Sequence, residues 1–596
     1  MKMGKKAYNH INVTNENFGK EFYNLIQLDS DLFIQKYIPK TSLFRYLLNY
    51  LKFEANGLQV KTIICENDYT DLNFLEDFAN YYARCYTLYE KHCKRIHFFS
   101  KKFTESEFLQ MLQNPDNNNW NEYVGCIVIK PLPKGVFGIT YLKTYIKENE
   151  TKNRYYTCLS KKKINLFGHD CVIETMPFEE QDGVVASCAT TALWMAFQKT
   201  SELFNTKSPS LSEITILAGD KNSNSGKIFP SKGLEIYQVC KAINNNGLIS
   251  EFRTDLTSKH FFKGLIYAYL KGDIPILLGL RLPTNNEYHL VTVNGYRLDK
   301  AKTETKYTSD AIIRFYVHDD QIGPFSRLVI NENDSVEITD DKNETIKYDY
   351  SLITSWWKKE KLHEWINRNG DFIKSPDSNS KTPESFIQST PVCVIVPISQ
   401  VIKITYDDII EQQGIIEFVI GSFIDIKSVK WDVFLVKSNE YKKWLIEKFG
   451  QEKKSQVENI LTTSLPQYIW IIQAWIDDNL LFDYIYDTIE LNKSGQPTAI
   501  NVYNDDFLDK LNDTNEIDNQ CSNGFFILKY KDSLLRTINE LPYDFEEIKT
   551  WFQEQIWDWE NTTKKSLEQL WHPEEDIHPS SFSDAVYEVF VGGAKS

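Results

Sequence analysis

Four side chains in the middle of the sequence have the types and the order needed for nucleophilic chemistry: Gln181, Cys188, His289 and Asp319. A thiol attacks a carbonyl only as thiolate. A free cysteine ionises near pH ~8.5, and a helix N-terminus with a nearby imidazolium lowers that value by several units. Cys188 follows Ser187, an N-cap type, and opens the Ala-rich run to Phe197, which reads as a helix. Its sulfur would then lie at the positive end of the helix dipole. His289 stands in the β-like run Tyr288–Tyr296, where it would pair with the thiolate and later protonate the leaving amine. Asp319 closes the β-like run that begins at Ile312 and would accept the other imidazole N–H, fixing the tautomer. Gln181, with the backbone N–H of Cys188, would form the oxyanion hole. Each residue alone has a plainer reading: a small buried thiol, a structural histidine, a turn-forming aspartate. Order, element type and spacing together point to catalysis.

The elements that must position these groups are the best patterned in the chain. Ala189, Leu193, Ala196 and Phe197 give the Cys188 helix a buried stripe, with Ala192 beside it allowing close approach. A second helix opens on Ser210-x-x-Glu213, a capping box. A third runs from about Lys232 to the stop Asn244-Asn-Asn-Gly247, and a fourth from Thr257-Ser258 to Gly272. The pattern then switches to strands at Ile274–Leu280, Tyr288–Tyr296, Ile312–His318 and Phe325–Ile330. Helices followed by a block of antiparallel strands make an α+β arrangement.

At these residues the chain resembles the papain-like cysteine peptidases. It is most similar to the bacterial branch that holds the bacteriocin-leader-processing (double-glycine) peptidase domains of export transporters and their stand-alone relatives. The matches are Gln181, Cys188, His289-Leu-Val-Thr-Val-Asn-Gly-Tyr296 and Tyr316-Val-His-Asp319-Asp320, and the resemblance covers roughly residues 175–335. It implies a papain-like fold and a Cys-His-Asp triad with a Gln oxyanion hole. Three positions depart from the family pattern. Ser187-Cys188-Ala189 replaces Asp-Cys-Gly, Gln181 lies one position further from the cysteine than is usual, and Asp320 replaces the proline after the aspartate. Either Asp319 or Asp320 would therefore orient the histidine, with Asp319 favoured by register. His318 would face the other way by strand alternation. Nothing resembles the membrane or nucleotide-binding parts of an exporter.

At 596 residues the chain is long enough for about three domains. The expected division is residues 1–174, mixed α/β; 175–340, the peptidase domain; and 341–596, mixed α/β. The last region holds all but two of the 13 tryptophans, a richness that more often builds a core than a groove. In the first region, residues 17–55 and 71–93 read as helices, and 123–130, 138–142 and 155–172 as strands. The net charge of −15 argues against general nucleic-acid binding. The basic cluster Lys91–His97 reads as a solvated helix face. No stretch approaches the ~20 apolar residues of a membrane helix. The N-terminus lacks the apolar run of a secretory signal, and the ten scattered cysteines fit reduced thiols, so a cytoplasmic location is expected. Polar or acidic stretches at 374–384 and 504–524 read as loops.

No cofactor or metal is expected. Asn224-Ser-Gly-Lys227 lacks the first glycine of a phosphate loop. His363-Glu364-Trp-Ile-Asn367 lacks the second histidine of a zinc-peptidase helix, and Trp571–His578 reads as an exposed acidic turn. The expected function is a cytoplasmic bacterial cysteine peptidase that cleaves a particular partner protein. It would be held inactive until triggered by a regulatory partner or by a loop such as Asn222–Pro230. The alternatives are an amidase, isopeptidase or acyltransferase on the same triad, or an inert papain-like scaffold that binds a partner protein. Oligomeric state stays open.

Overall fold

The computed structural model describes residues 7–27, 42–52, 57–144, 154–183, 185, 187–219, 233–282, 287–299, 301–302, 304–339, 345–354, 387–420, 426–449, 454–489 and 497–503. The architecture is mixed α+β with antiparallel sheets. It divides into two compact units, Met1–Lys403 with Phe434–Tyr441, and Ile404–Val433 with Lys442–Ser596.

The first unit opens with a five-stranded antiparallel sheet in sequential order: β1 (Tyr8–Asn12), β2 (Thr62–Tyr69), β3 (Cys93–Phe99), β4 (Tyr123–Ile129) and β5 (Phe137–Leu142). Helices α1 (Phe18–Ile26), α2 (Ser42–Lys52), α3 (Leu72–Asn80) and α4 (Glu105–Gln113) connect these strands. The helix expected over 71–93 stops at Asn80, and the basic cluster forms β3 instead of a solvated helix face. The reason is charge pairing. Arg95 donates to Glu66 (2.7 Å), and fully buried His97 is satisfied by Glu66 (2.7 Å) and the Tyr123 hydroxyl (2.9 Å). Polar residues with such partners can face inward, which hides the strand period in the sequence. Strand β6 (Arg154–Tyr156) and the hairpin β7 (Ser160–Leu166)–β8 (His169–Thr175) follow. The hairpin turns at Phe167 (φ 49°) and Gly168 (φ 94°), the left-handed pair a tight hairpin needs.

Next come α5 (Cys188–Phe204), α6 (Leu211–Ala218), α7 (Ile236–Asn245), β9 (Leu248–Arg253) and α8 (Lys259–Lys271). Ser210 and Glu213 form the predicted capping box of α6. Gly247, at φ 87°, stands two residues beyond the end of α7, and Ser258 and Gly272 bracket α8. The strands are β10 (Ile276–Leu282), β11 (Glu287–Leu298), β12 (Ile312–Asp319), β13 (Gly323–Asn331), the small hairpin β14 (Val336–Thr339)–β15 (Thr345–Tyr348), β16 (Ser351–Thr354) and β17 (Ile387–Ser399). They pair in the order β10-β11-β12-β13-β16-β17, and β17 returns to β10, so the sheet closes on itself. Closure removes the unpaired edges an open sheet would leave. Strand β9 extends β17 and β6 pairs with β11. The closing strands lie beyond residue 340, so the sheet runs past the boundary expected there. The four-residue β16 is too short to show a period in the sequence.

Helix α5 is buried along most of its length, including Trp194, Met195 and Phe197. It packs on β11, where the Thr292 hydroxyl donates to the Ala192 carbonyl (2.9 Å). In the second unit, strands Tyr468–Ile476, Asn479–Asp487 and Ala499–Val502 pair antiparallel. Trp431 and Trp470 are fully buried there, and the Trp470 indole donates to the Ile404 carbonyl (2.9 Å). These tryptophans are core. The sequence readings at 222–230, 356–367, 374–384 and 504–578 lie outside the described residues. Among the described residues no helix is long and apolar enough to cross a membrane.

Gly279 on β10 faces Cys393 on β17, and a Cβ there would come within 2.7 Å of the cysteine sulfur. Overpacking of this kind costs about 1–3 kcal/mol. Gly279→Ala is expected to lower stability to denaturant by that amount, with Cys393→Ala in the same chain recovering part of it. A Gly279→Ala protein as stable as the wild type would contradict this packing.

Candidate active site

Cys188 is the first helical residue of α5. Ser187 before it is extended (φ −98°, ψ 174°), and its hydroxyl pairs with Thr190 (3.2 Å) without capping a backbone N–H. The cap position is as expected and the cap bond is not. The helix is held instead by the Ser187 carbonyl, which accepts from the Thr191 amide and hydroxyl (both 2.9 Å).

His289 lies on β11 opposite Leu280 and is almost fully buried. Its Nε2 sits 3.1 Å from Asp319 Oδ1 and 3.6 Å from Asp320 Oδ1, and the Cys188 side chain is close enough to act on the same ring. With Nε2 turned to Asp319, Nδ1 is the nitrogen that can serve the thiol. Burial alone would lower the histidine's pKa. The charge and hydrogen bond of Asp319, the bond to Cys188 and the charge of Asp320 outweigh burial and hold it well above the usual value. These neighbours favour the imidazolium form of the ring.

Asp319 ends β12 and makes the turn into β13. Its Oδ1 accepts from the backbone amides of Gln321 (3.0 Å) and Ile322 (3.3 Å). The turn-forming and histidine-orienting readings of this residue are the same geometry: the turn bonds fix the carboxylate that meets His289. Asp320 is also buried, and neither of its oxygens has a hydrogen-bond partner. Burial pushes it up to about 7; the His289 charge opposes that and the Asp319 charge adds to it. His318 faces away, as alternation predicts. Its Nδ1 accepts from Asn294 (2.9 Å) and the Phe325 amide (3.1 Å), its Nε2 faces the Met176 carbonyl (3.1 Å), and burial drives its pKa to about 3. It is a neutral tie between the sheet and the segment leading to Cys188.

Gln181 lies in that segment, half-buried. Among the described residues no hydrogen bond joins its side chain to Cys188 or His289, and an oxyanion-hole amide would donate to substrate and not to either of them. What the sequence reading missed is how firmly this loop is held. Glu180 accepts from the Phe137 amide (2.9 Å), and Asp182 accepts from the Tyr82 hydroxyl (2.6 Å) and the Val185 amide (2.9 Å). Gly135, at φ 64°, packs so tightly that a Cβ would come within 2.5 Å of Asp182 Cα. Beside the loop, buried Lys130 pairs with buried Glu179 (3.1 Å). The acidic run Glu179-Glu-Gln-Asp182 was the available signal, and by composition it reads as exposed.

His289, Asp319 and Asp320 each bring one ligand atom to within 4.8 Å of the others, a spacing open to a divalent cation. The nearest of these contacts, His289 Nε2 to Asp319 Oδ1, is at hydrogen-bond distance (3.1 Å). Of the other cysteines, burial raises the thiols of Cys65, Cys158, Cys171 and Cys393 to about 12 and that of Cys126 to about 11, and it also raises Cys93 and Cys240. Comparison of the chain with protein-family models, curated proteins and solved structures gave no match.

The buried acids set a pH dependence. Burial raises Asp77 to about 8 and Glu179, Glu180 and Asp320 to about 7, against about 4 for an unfolded carboxyl. Between those values the folded chain binds protons that the unfolded chain does not, so stability is lost as pH rises through about 7–8. The raised pKa of His289 acts in the same direction. The unfolding midpoint is expected to fall between pH ~6 and ~8.5, and Glu180→Gln to flatten the dependence. A flat or rising wild-type profile would contradict the assignment.

Proposed function

We propose that this protein is a cysteine peptidase with Cys188 as nucleophile, His289 as proton carrier and Asp319 as the residue that orients it. The observation that carries the reading is the buried His289–Asp319 hydrogen bond with the partly exposed Cys188 side chain acting on the same ring, the thiol opening a helix and the imidazole standing on a closed antiparallel sheet. That helix-on-sheet arrangement, with the sequence matches between 175 and 335, supports a papain-like reading.

In the first step the Cys188 thiolate adds to the scissile carbonyl carbon, and the C=O electrons move to oxygen. The free N–H groups at the start of α5, with the Gln181 amide once substrate is bound, receive that oxyanion. The intermediate collapses to a thioester as the C–N bond breaks, and the His289 imidazolium gives its proton to the departing amine. Neutral His289 then takes a proton from water. The resulting hydroxide attacks the thioester, releasing the acid and restoring the ion pair. Asp319 keeps Nε2 protonated and Nδ1 turned to the thiol throughout. The substrate class is a protein or peptide, and a bacterial cytoplasmic enzyme of this kind would act on a particular partner.

An electrophilic peptide probe is expected to modify Cys188 in the folded protein, with His289→Ala slowing the reaction about 10²-fold or more. Asp319→Asn should slow it more than Asp320→Asn, because only Asp319 is within hydrogen-bond distance of Nε2. A chelator should leave the rate unchanged. Loss of modification on chelation would make the His289-Asp319-Asp320 group a metal centre instead. Mass analysis of products formed with an added amine separates hydrolysis from acyl transfer.

A further inference from the structure

We infer that the outer face of the closed sheet carries a binding site for a small ligand bearing several phosphate groups, centred on Arg297 and Arg314. Arg297 on β11 is directly opposite Arg154 on β6 at one side and Arg314 on β12 at the other. Tyr316, two residues along β12, is opposite Arg327 on β13. Opposed residues leave a sheet on one face, so four guanidinium groups share this face. Tyr296, Phe315 and Leu328 alternate with them on the other face and are buried, whereas Arg154, Arg297 and Arg314 are partly exposed and Arg327 is exposed.

Like charges opposed across strands weaken pairing. Here Arg297 and Arg314 stand directly opposite each other in a chain of net charge −15, where carboxylates to neutralise them are plentiful. Among the described residues the guanidinium groups of Arg297 and Arg314 make no hydrogen bond or ion pair, and both Nε atoms are buried without a partner. The groups acting on Arg314 are burial, Arg327, Tyr316, Arg297 and Arg154, with no carboxylate among them. Both arginines are half-buried, so their planes are held in place and their remaining N–H groups are reachable. The guanidinium fork matches phosphate oxygens in pairs. Arginines on three adjacent strands span about 10 Å, more than one phosphate fills and about the length of a short phosphate chain. The overall negative charge disfavours a long nucleic acid, which needs an extended basic track. This inference stands apart from the peptidase reading and does not depend on it.

The test uses the full chain, with inorganic tripolyphosphate as probe, followed by calorimetry and thermal unfolding. Orthophosphate, citrate, and sodium chloride at matched ionic strength serve as comparisons. Wild type is expected to bind tripolyphosphate more tightly than orthophosphate or citrate and to gain a few degrees of stability, about 2–4 °C. Arg297→Gln with Arg314→Gln should weaken binding at least about tenfold. Without ligand this variant should be as stable as wild type or more so, because the opposed charges are gone. Arg314→Lys, which keeps the charge but not the fork, should bind with intermediate affinity. Equal binding by the double variant, a stabilisation reproduced by sodium chloride, or citrate binding as tightly as tripolyphosphate would each overturn the proposal.

Discussion

One buried hydrogen bond, from the Thr292 hydroxyl to the Ala192 carbonyl, sets the register between the helix that begins with the thiol and the strand that carries the imidazole. The two segments are about a hundred residues apart in sequence, and nothing local to either specifies how they meet. Thr292 lies three residues past His289 and Ala192 four past Cys188, so a shift at this contact would part the two reacting groups directly. The closed sheet provides the stiffness. A strand paired on both sides cannot slide without breaking the whole ladder, and α5, buried along most of its length, cannot tilt without opening a cavity.

Around that register the site is assembled from acids that share few protons. His289 meets two carboxylates, of which Asp319 is tied by turn bonds and Asp320 makes no hydrogen bond. Three further acids, buried Glu179 and Asp182 and half-buried Glu180, lie along the loop that leads to Cys188, and their partners come from the first 144 residues: Lys130, Phe137 and Tyr82. The N-terminal sheet is therefore part of what positions the loop before Cys188. Two of the groups that fix the loop, Glu179 and Glu180, are raised to about 7 by burial.

The central helices and strands were legible because their signals are local. The Ser210–Glu213 capping box, the Ser258 and Gly272 ends of α8 and the alternation of β10 to β13 each need only a few neighbouring residues. Cys188, His289 and Asp319 could be chosen because each sits at an element boundary or in a clean strand. What stayed hidden depends on distant partners. The Lys91–His97 cluster looks like a solvated helix until Glu66 and Tyr123 arrive from other strands to satisfy it. The closing strands β16 and β17 were assigned to another region because the long connection between them breaks the pattern. The Ser187 cap is different, because its competitor is local: the Ser187 hydroxyl pairs with the Thr190 hydroxyl and accepts no backbone N–H.

The central claim is a thiolate–imidazolium pair between Cys188 and His289. Its most direct test is the rate of alkylation of each cysteine in the folded protein at pH ~6, well below the free-thiol value of ~8.5, read by peptide mapping in wild type and His289→Ala. The account predicts that Cys188 reacts far ahead of the buried thiols in the wild type and loses that lead without the imidazole. Equal reactivity of Cys188 in the two proteins, or no lead over the other cysteines in the wild type, would contradict it.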